Sequence, residues 1–184
     1  MVAHSGQNGV WPEVRWGDAG SVFSRTVTAV AATRIGSWLA RHGAGLDRRI
    51  LVRTNGRRTI LGPIGAPLLL LVTIGRKTSR RITTPLVYMR EADRLLIVGT
   101  NGGLQRPPNW VANLRAHPEA DVIMAGRQIP ITACEIFGRD KDKRFHVLID
   151  SSPVFAAYLR RIQRDIPMFA LEQRRGRRSG SPHS

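Results

Sequence analysis

Acidic residues are scarce in this sequence. Thirteen Asp and Glu stand against 29 Lys and Arg, leaving a net charge of +16. None of the thirteen is clustered, so no pair of carboxylates is set up for acid–base work. Cysteine is scarcer still. Cys134 stands alone, which excludes an internal disulfide and any cysteine-based metal cluster. It lies in the alternating run "IPITACEI" and is expected to be a small core residue. The five histidines, at 4, 42, 117, 146 and 183, are scattered, so no metal site is expected. The longest apolar run, "PLLLLVTI", is about eight residues, and a bilayer span needs roughly 20. The N-terminus "MVAHSGQNGVWPEV" has no basic stretch leading into an apolar one, so no secretory signal is expected and the cytoplasm is the default.

Two motifs are missing as well. "IGRKTS" invites a phosphate-loop reading, but Arg76 separates Gly75 from Lys77, no glycine lies five residues before Gly75, and the pattern continues as a hairpin. No G-x-S-x-G occurs, which excludes a hydrolase nucleophile elbow.

What is present is a chain of 184 residues with 42% apolar content, suited to one globular domain with a tail at each end. The positive charge is general. It is +6 over residues 1–65 (nine Arg minus three acids), +5 over 66–150 and +5 over 151–184. Such a surface attracts polyanions: nucleic acid, anionic lipid, or a small molecule bearing phosphate and carboxylate.

Residues 1–20 are Gly-rich and unpatterned, and are expected to form a flexible N-terminal arm. Over 21–46, Phe23, Val27, Val30, Ala31, Ile35, Trp38 and Leu39 recur at steps of three and four, with Arg25, Arg34 and Arg41 falling between them. This is an amphipathic basic helix, either packed on its own domain or lying through residues 21–42 on an anionic membrane. Strands are expected over 67–74, 82–90, 94–99, 120–125 and 128–136, with turns at Glu91-Ala92-Asp93 and Gly126-Arg127. A short helix runs from Pro108 to Ala116 and ends at His117-Pro118. Two more are expected over 139–150 and 153–164, and residues 171–184 are expected to be a disordered basic tail. The fold class is mainly β with flanking helices (α+β): an antiparallel sheet curled into a small barrel, spanning 47–170.

Two stretches suggest a binding site. At the turn 75–81, Arg76, Lys77, Arg80 and Arg81 crowd one hairpin tip. There, backbone N–H groups and cationic side chains can cradle an anion. In "VGTNGGLQRPPNWVANL" a strand runs into glycines, which let a flat ligand approach the backbone. Pro-Pro then opens a helix carrying Asn109, Trp110 and Asn113. Together they describe a site for a flat ring joined to a phosphate. A basic nucleic-acid-binding module and a flavin-binding barrel oxidase are the alternatives, although few aromatics are available to stack on bases.

At these residues the sequence resembles the deazaflavin (F420)-dependent nitroreductases, also called deazaflavin-dependent oxidoreductases. The resemblance rests on "TIGRKTSRRITTPL", "GTNGGLQRPPNWVANLRAHP" and "YLRRIQRDIP", in order, over about residues 66–170. It implies an antiparallel, FMN-binding-like split β-barrel. The implied coenzyme is F420, an 8-hydroxy-5-deazaflavin with a phosphate and an oligoglutamate tail. By matching positions, Arg76, Lys77 and Thr78 would take the phosphate, Val98, Gly99, Thr100 and Asn101 would edge the ring, and Asn109, Trp110, Asn113 and Phe155 would wall the pocket. Tyr158 and Thr100 are the candidate catalytic hydroxyls. The implied reaction is hydride transfer to an organic acceptor, with a quinone favoured over nitroaromatics or unsaturated lactones, and no specific nucleic acid as partner. The sequence departs from the pattern at Ser79, where the family has Gly, and at Arg81-Ile82, where it has Pro-Arg. Of the tyrosines that surround the substrate in the typical nitroreductase, only Tyr158 is matched.

Overall fold

A computed structural model describes residues 11–12, 67–151 and 153–174, and the side chains of these except at 151, 153–155 and 158. Six strands form a closed antiparallel barrel in the order β1-β2-β3-β6-β5-β4. They are β1 (Leu68–Ile74), β2 (Arg81–Glu91), β3 (Arg94–Val98), β4 (Glu119–Met124), β5 (Arg127–Ile136) and β6 (Met168–Gln173). Helix α1 (Asn109–Ala116) lies between β3 and β4. Helices α2 (Gly138–Ser151) and α3 (Pro153–Arg161) lie between β5 and β6.

Alternation places one face of each strand inside. Leu69 and Leu71, Leu95 and Ile97, Ala120, Val122 and Met124, Ile129, Ile131 and Ala133, and Phe169 and Leu171 make the core, joined by Val111 and Leu114 from α1. The same period carries Cys134 outward. It is exposed, opposite in phase to Ile131 and Ala133, and not the core residue expected.

Strand β6 is not among the expected strands; it begins after the helix expected to end at 164 and runs three residues past the expected barrel boundary at 170, into the expected tail. "MFALEQ" is rich in helix formers, but its slot between β3 and β5 closes the barrel and overrides that propensity. The N-terminal arm is corrected at one point. Trp11 is buried in the core, its indole N–H donates to Asp93 O at 2.7 Å, and its own carbonyl accepts from Arg90 at 3.3 Å. The helix expected over 21–46 and the tail beyond 174 lie outside the described residues.

The pairing of β2 is uneven. It meets β1 from Arg81 to Val87, but it meets β3 only from Tyr88 to Glu91. Among the described residues, its first half therefore has a neighbour on one side only, next to the β1–β2 turn.

Candidate functional site

Gly75 follows β1 at a point where any side chain would force its neighbours to shift. A Cβ there would lie 2.6 Å from Thr78 Oγ1 and 2.9 Å from Ile82 Cδ1. The chain then folds tightly: Gly75 N–H donates to Arg80 O at 2.8 Å, and Gly75 O accepts from Thr78 and Ser79 N–H at 3.1 and 2.8 Å. Closing this turn takes Ser79 to φ 53°, the left-handed region. That explains why glycine suits the position and marks the local cost of the serine.

The turn is fastened to α1 by a buried polar chain. Asn113 Oδ1 accepts from Arg76 N–H at 3.2 Å, and its Nδ2 donates to Thr73 Oγ1 at 3.1 Å. The Thr73 hydroxyl in turn reaches Ile82 O at 3.5 Å. Thr73 and Asn113 are both almost fully buried, so neither can exchange these partners for water. A cleft of about 260 Å³ opens between turn and helix, lined by Gly75, Arg76, Lys77, Thr78, Ile82, Asn109 and Asn113.

The electrostatics of the cleft are one-sided. Among the described residues, no carboxylate pairs with Arg76, Lys77 or Arg80. Arg81 differs, since it donates to Asp121 Oδ2 on β4 at 2.8 Å and does not line the cleft. It therefore does not replace the displaced cation of the family pattern at this cleft. Asn109, the first residue of α1, lies beside the cationic turn, and that helix has Pro108 at its N-cap, no side-chain cap and no acid in its first turn. Its first N–H groups lack intrahelical acceptors and carry the positive end of the helix dipole. The turn's own backbone offers less than expected. The N–H groups of Gly75, Arg76, Thr78 and Ser79 are already bonded within the protein, so an anion here would rely chiefly on side chains.

Of the expected site residues, Arg76, Lys77, Thr78, Asn109 and Asn113 come together in this cleft. Trp110 does not. It is buried in the core, edge-on to Phe169 with centroids 5.8 Å apart. Helical spacing explains this, because Trp110, Val111 and Leu114 form the inward face of α1 while Asn109 faces out. Val98, Gly99, Thr100 and Asn101 fall at the end of β3 and in the following loop. There, Gly99 N–H donates to Pro167 O at 2.8 Å, Thr100 is buried, and Asn101 takes φ 51°. Phe155 and Tyr158 belong to α3, and their side chains lie outside the described residues. Sequence reasoning missed Thr73, whose role depends on a partner 40 residues away. It also missed Arg164, which reaches the loop after β3 and whose pKa burial holds below its ordinary value, with Asp165 opposing.

A cationic turn facing an uncapped helix start suits the phosphate of the coenzyme implied by the resemblance. The family model that matches residues 46–173 is that of the F420H(2)-dependent quinone reductase. The chain belongs to the F420H(2)-dependent quinone reductase family. An F420H(2)-dependent quinone reductase of Mycobacterium tuberculosis is 36% identical over 147 residues, 76% of this chain and 99% of that protein. Among solved structures, an F420-H2 dependent reductase aligns with TM-score 0.52 and 28% identity over 58% of this chain and 94% of its own. A protein solved as a domain-swapped dimer aligns with TM-score 0.54 and 26% identity, over 74% and 98% of the two chains. Membership in this family of F420-dependent oxidoreductases bears out the expected barrel, coenzyme and reaction class.

Proposed function

We propose that the cleft between the β1–β2 turn and α1 holds the phosphate of coenzyme F420, and that the chain reduces a quinone. The observation that carries this reading is the meeting of Arg76, Lys77 and the start of α1 in one cleft with no internal counter-ion among the described residues. When bound, the reduced coenzyme supplies the hydride. The protein's share is orientation and a proton. Arg76 and Lys77 hold the phosphate by charge-assisted hydrogen bonds, with Thr78 and Asn109 adding neutral ones. The outlying Arg80 and the general surface charge draw in the oligoglutamate tail. Val98 to Asn101 edge the ring, and Thr100, buried, serves as a fixed polar group beside it. Tyr158 donates the one proton that, with the hydride, converts a quinone to its hydroquinone. Phe155, one helical turn earlier, walls the acceptor's side of the pocket.

The nucleic-acid reading loses support at Trp110. That ring was the one aromatic beside the Gly-rich loop able to stack on a base, and it is buried. The deciding experiment is a fluorescence titration of the full chain with oxidised F420, followed by turnover assays with quinones, nitroaromatics and unsaturated lactones. Stoichiometric quenching and quinone turnover are expected. Absence of binding would overturn the reading.

A lipid-soluble acceptor motivates one further step. No helix among the described residues is long and apolar enough to cross a membrane. The basic amphipathic pattern of 21–42, outside those residues, supports peripheral contact with anionic lipid at the inner face of the cell membrane. Replacing Arg25, Arg34 and Arg41 by Glu should then abolish co-sedimentation with anionic vesicles, and undiminished sedimentation would rule this contact out.

A further inference from the structure

One half-buried cation takes no part in the cleft. Arg164 lies between α3 and β6, and its Nη2 stands within hydrogen-bond distance of four main-chain carbonyls: Gly99 at 2.9 Å, Leu104 at 3.2 Å, Arg106 at 3.3 Å and Thr100 at 3.4 Å. Nη1 donates to Asp165 O at 3.0 Å, and Nε is buried without an acceptor. Among the described residues, no carboxylate forms an ion pair with Arg164, and that of Asp165 is engaged by Lys141. Two N–H bonds on Nη2 cannot each serve two carbonyls at full strength, so the arrangement is electrostatic: a positive centre gathering oxygens that would otherwise repel one another.

Within the segment so gathered the bonds are short-range: Gly103 N–H donates to Thr100 O at 3.0 Å, Leu104 N–H to Asn101 O at 3.3 Å, and Asn101 Nδ2 to Arg106 O at 3.0 Å. Asn101, Gly102 and Gly103 take φ 51°, 62° and 83° in succession, an unfavourable run for Asn101 in particular. Toward the neighbouring chain, Gly99 N–H donates to Pro167 O at 2.8 Å, Gln105 Nε2 to Arg161 O at 2.8 Å, and Gln163 N–H to Gln105 Oε1 at 3.2 Å. We propose that Arg164 is a positioning residue. It holds the loop 99–106 in one conformation before any ligand arrives, as a bound metal ion would order a ring of carbonyls, and so presets the edge against which the coenzyme ring lies. This rests on the reading of Val98 to Asn101 as the ring edge.

The test uses the full chain with Arg164→Ala and the milder Arg164→Gln, which keeps two donors and removes the charge. Hydrogen exchange of the amides in 99–106 is expected to quicken at least about tenfold, with β1, β4 and β5 unchanged, because the loop alone is released. The Kd for oxidised F420 should rise at least about tenfold, since misplacing a preorganised edge loses that much. Millimolar guanidinium chloride should restore both in Arg164→Ala, and equal sodium chloride should not. If exchange and Kd match the wild type in Arg164→Gln, the proposal is overturned. It is also overturned if exchange quickens while affinity holds, because the loop then does not shape the site. A wild-type protein that fails to bind F420 would instead sink the functional reading, and the exchange and rescue arms would still report on the clamp.

Discussion

The side chain of Asn113 joins two elements that are distant in sequence: its Oδ1 accepts from the backbone N–H of Arg76 at 3.2 Å, and its Nδ2 donates to Thr73 at 3.1 Å. One buried amide thus sets where the cationic turn stands relative to α1. Its orientation follows from proton counting. The Thr73 hydroxyl directs its only proton to Ile82 O, so it must accept from Nδ2, and Oδ1 is left for Arg76.

Asn113→Ala should therefore destabilise the fold by about 2–4 kcal/mol, since two buried groups lose partners at about 1–3 kcal/mol each before overlap. Urea unfolding measures it. Coenzyme affinity per folded molecule should fall as well. A variant as stable as the wild type would show that water replaces the amide.

The turn's charges can be separated by their partners. Arg76→Ala with Lys77→Ala should weaken coenzyme binding by about 2–4 kcal/mol, and by more at low salt. Arg81→Ala should leave binding unchanged, because that guanidinium is engaged by Asp121 outside the cleft. Its effect on stability should stay within about 1 kcal/mol, as for other exposed pairs. Equal losses of binding in both variants would mean that surface charge, not this cleft, holds the ligand.

Ser79 carries strain that the family's glycine avoids. Ser79→Gly should stabilise the protein by about 0.5–1 kcal/mol, the left-handed penalty of about 1–2 kcal/mol less the entropy glycine adds to the unfolded chain. Thermal unfolding that moves downward would mean the serine has a partner the turn needs.

Trp11→Ala should cost about 3–5 kcal/mol, as expected for removing a buried large aromatic from a core. A cost near zero would place the indole at the surface in solution. The same burial bears on truncation: removing the first twelve residues should destabilise the barrel itself.

Tyr158→Phe should lower kcat at least about tenfold (about 1.4 kcal/mol of barrier) with melting temperature and coenzyme affinity nearly unchanged. If stability drops and turnover per folded enzyme holds, the hydroxyl is structural and the proton comes from elsewhere.

Much of this protein can be read directly from the chain. Strands β1 to β5 and helix α1 follow from local periods and turn residues, and the basic turn and "PPNWVANL" mark the candidate site because glycine, proline and charge act locally. The sixth strand was not legible. "MFALEQ" becomes a strand because β3 and β5 leave a gap that only a strand's hydrogen bonds can fill, a condition set by chain segments more than 30 residues away in sequence. The same holds for the side chains. Composition marks Arg76, Lys77, Arg80 and Arg81 as equivalent cations. Only the registers of β1 with β2 and with β4 bring Asp121 to Arg81 and leave Arg76 and Lys77 uncompensated at the cleft. Trp110 and Asn109 are neighbours in sequence, yet the helix turns one into the core and the other toward the cleft. Local propensity selects the elements, but charge compensation and burial depend on long-range contacts, and those exist only once the barrel has closed.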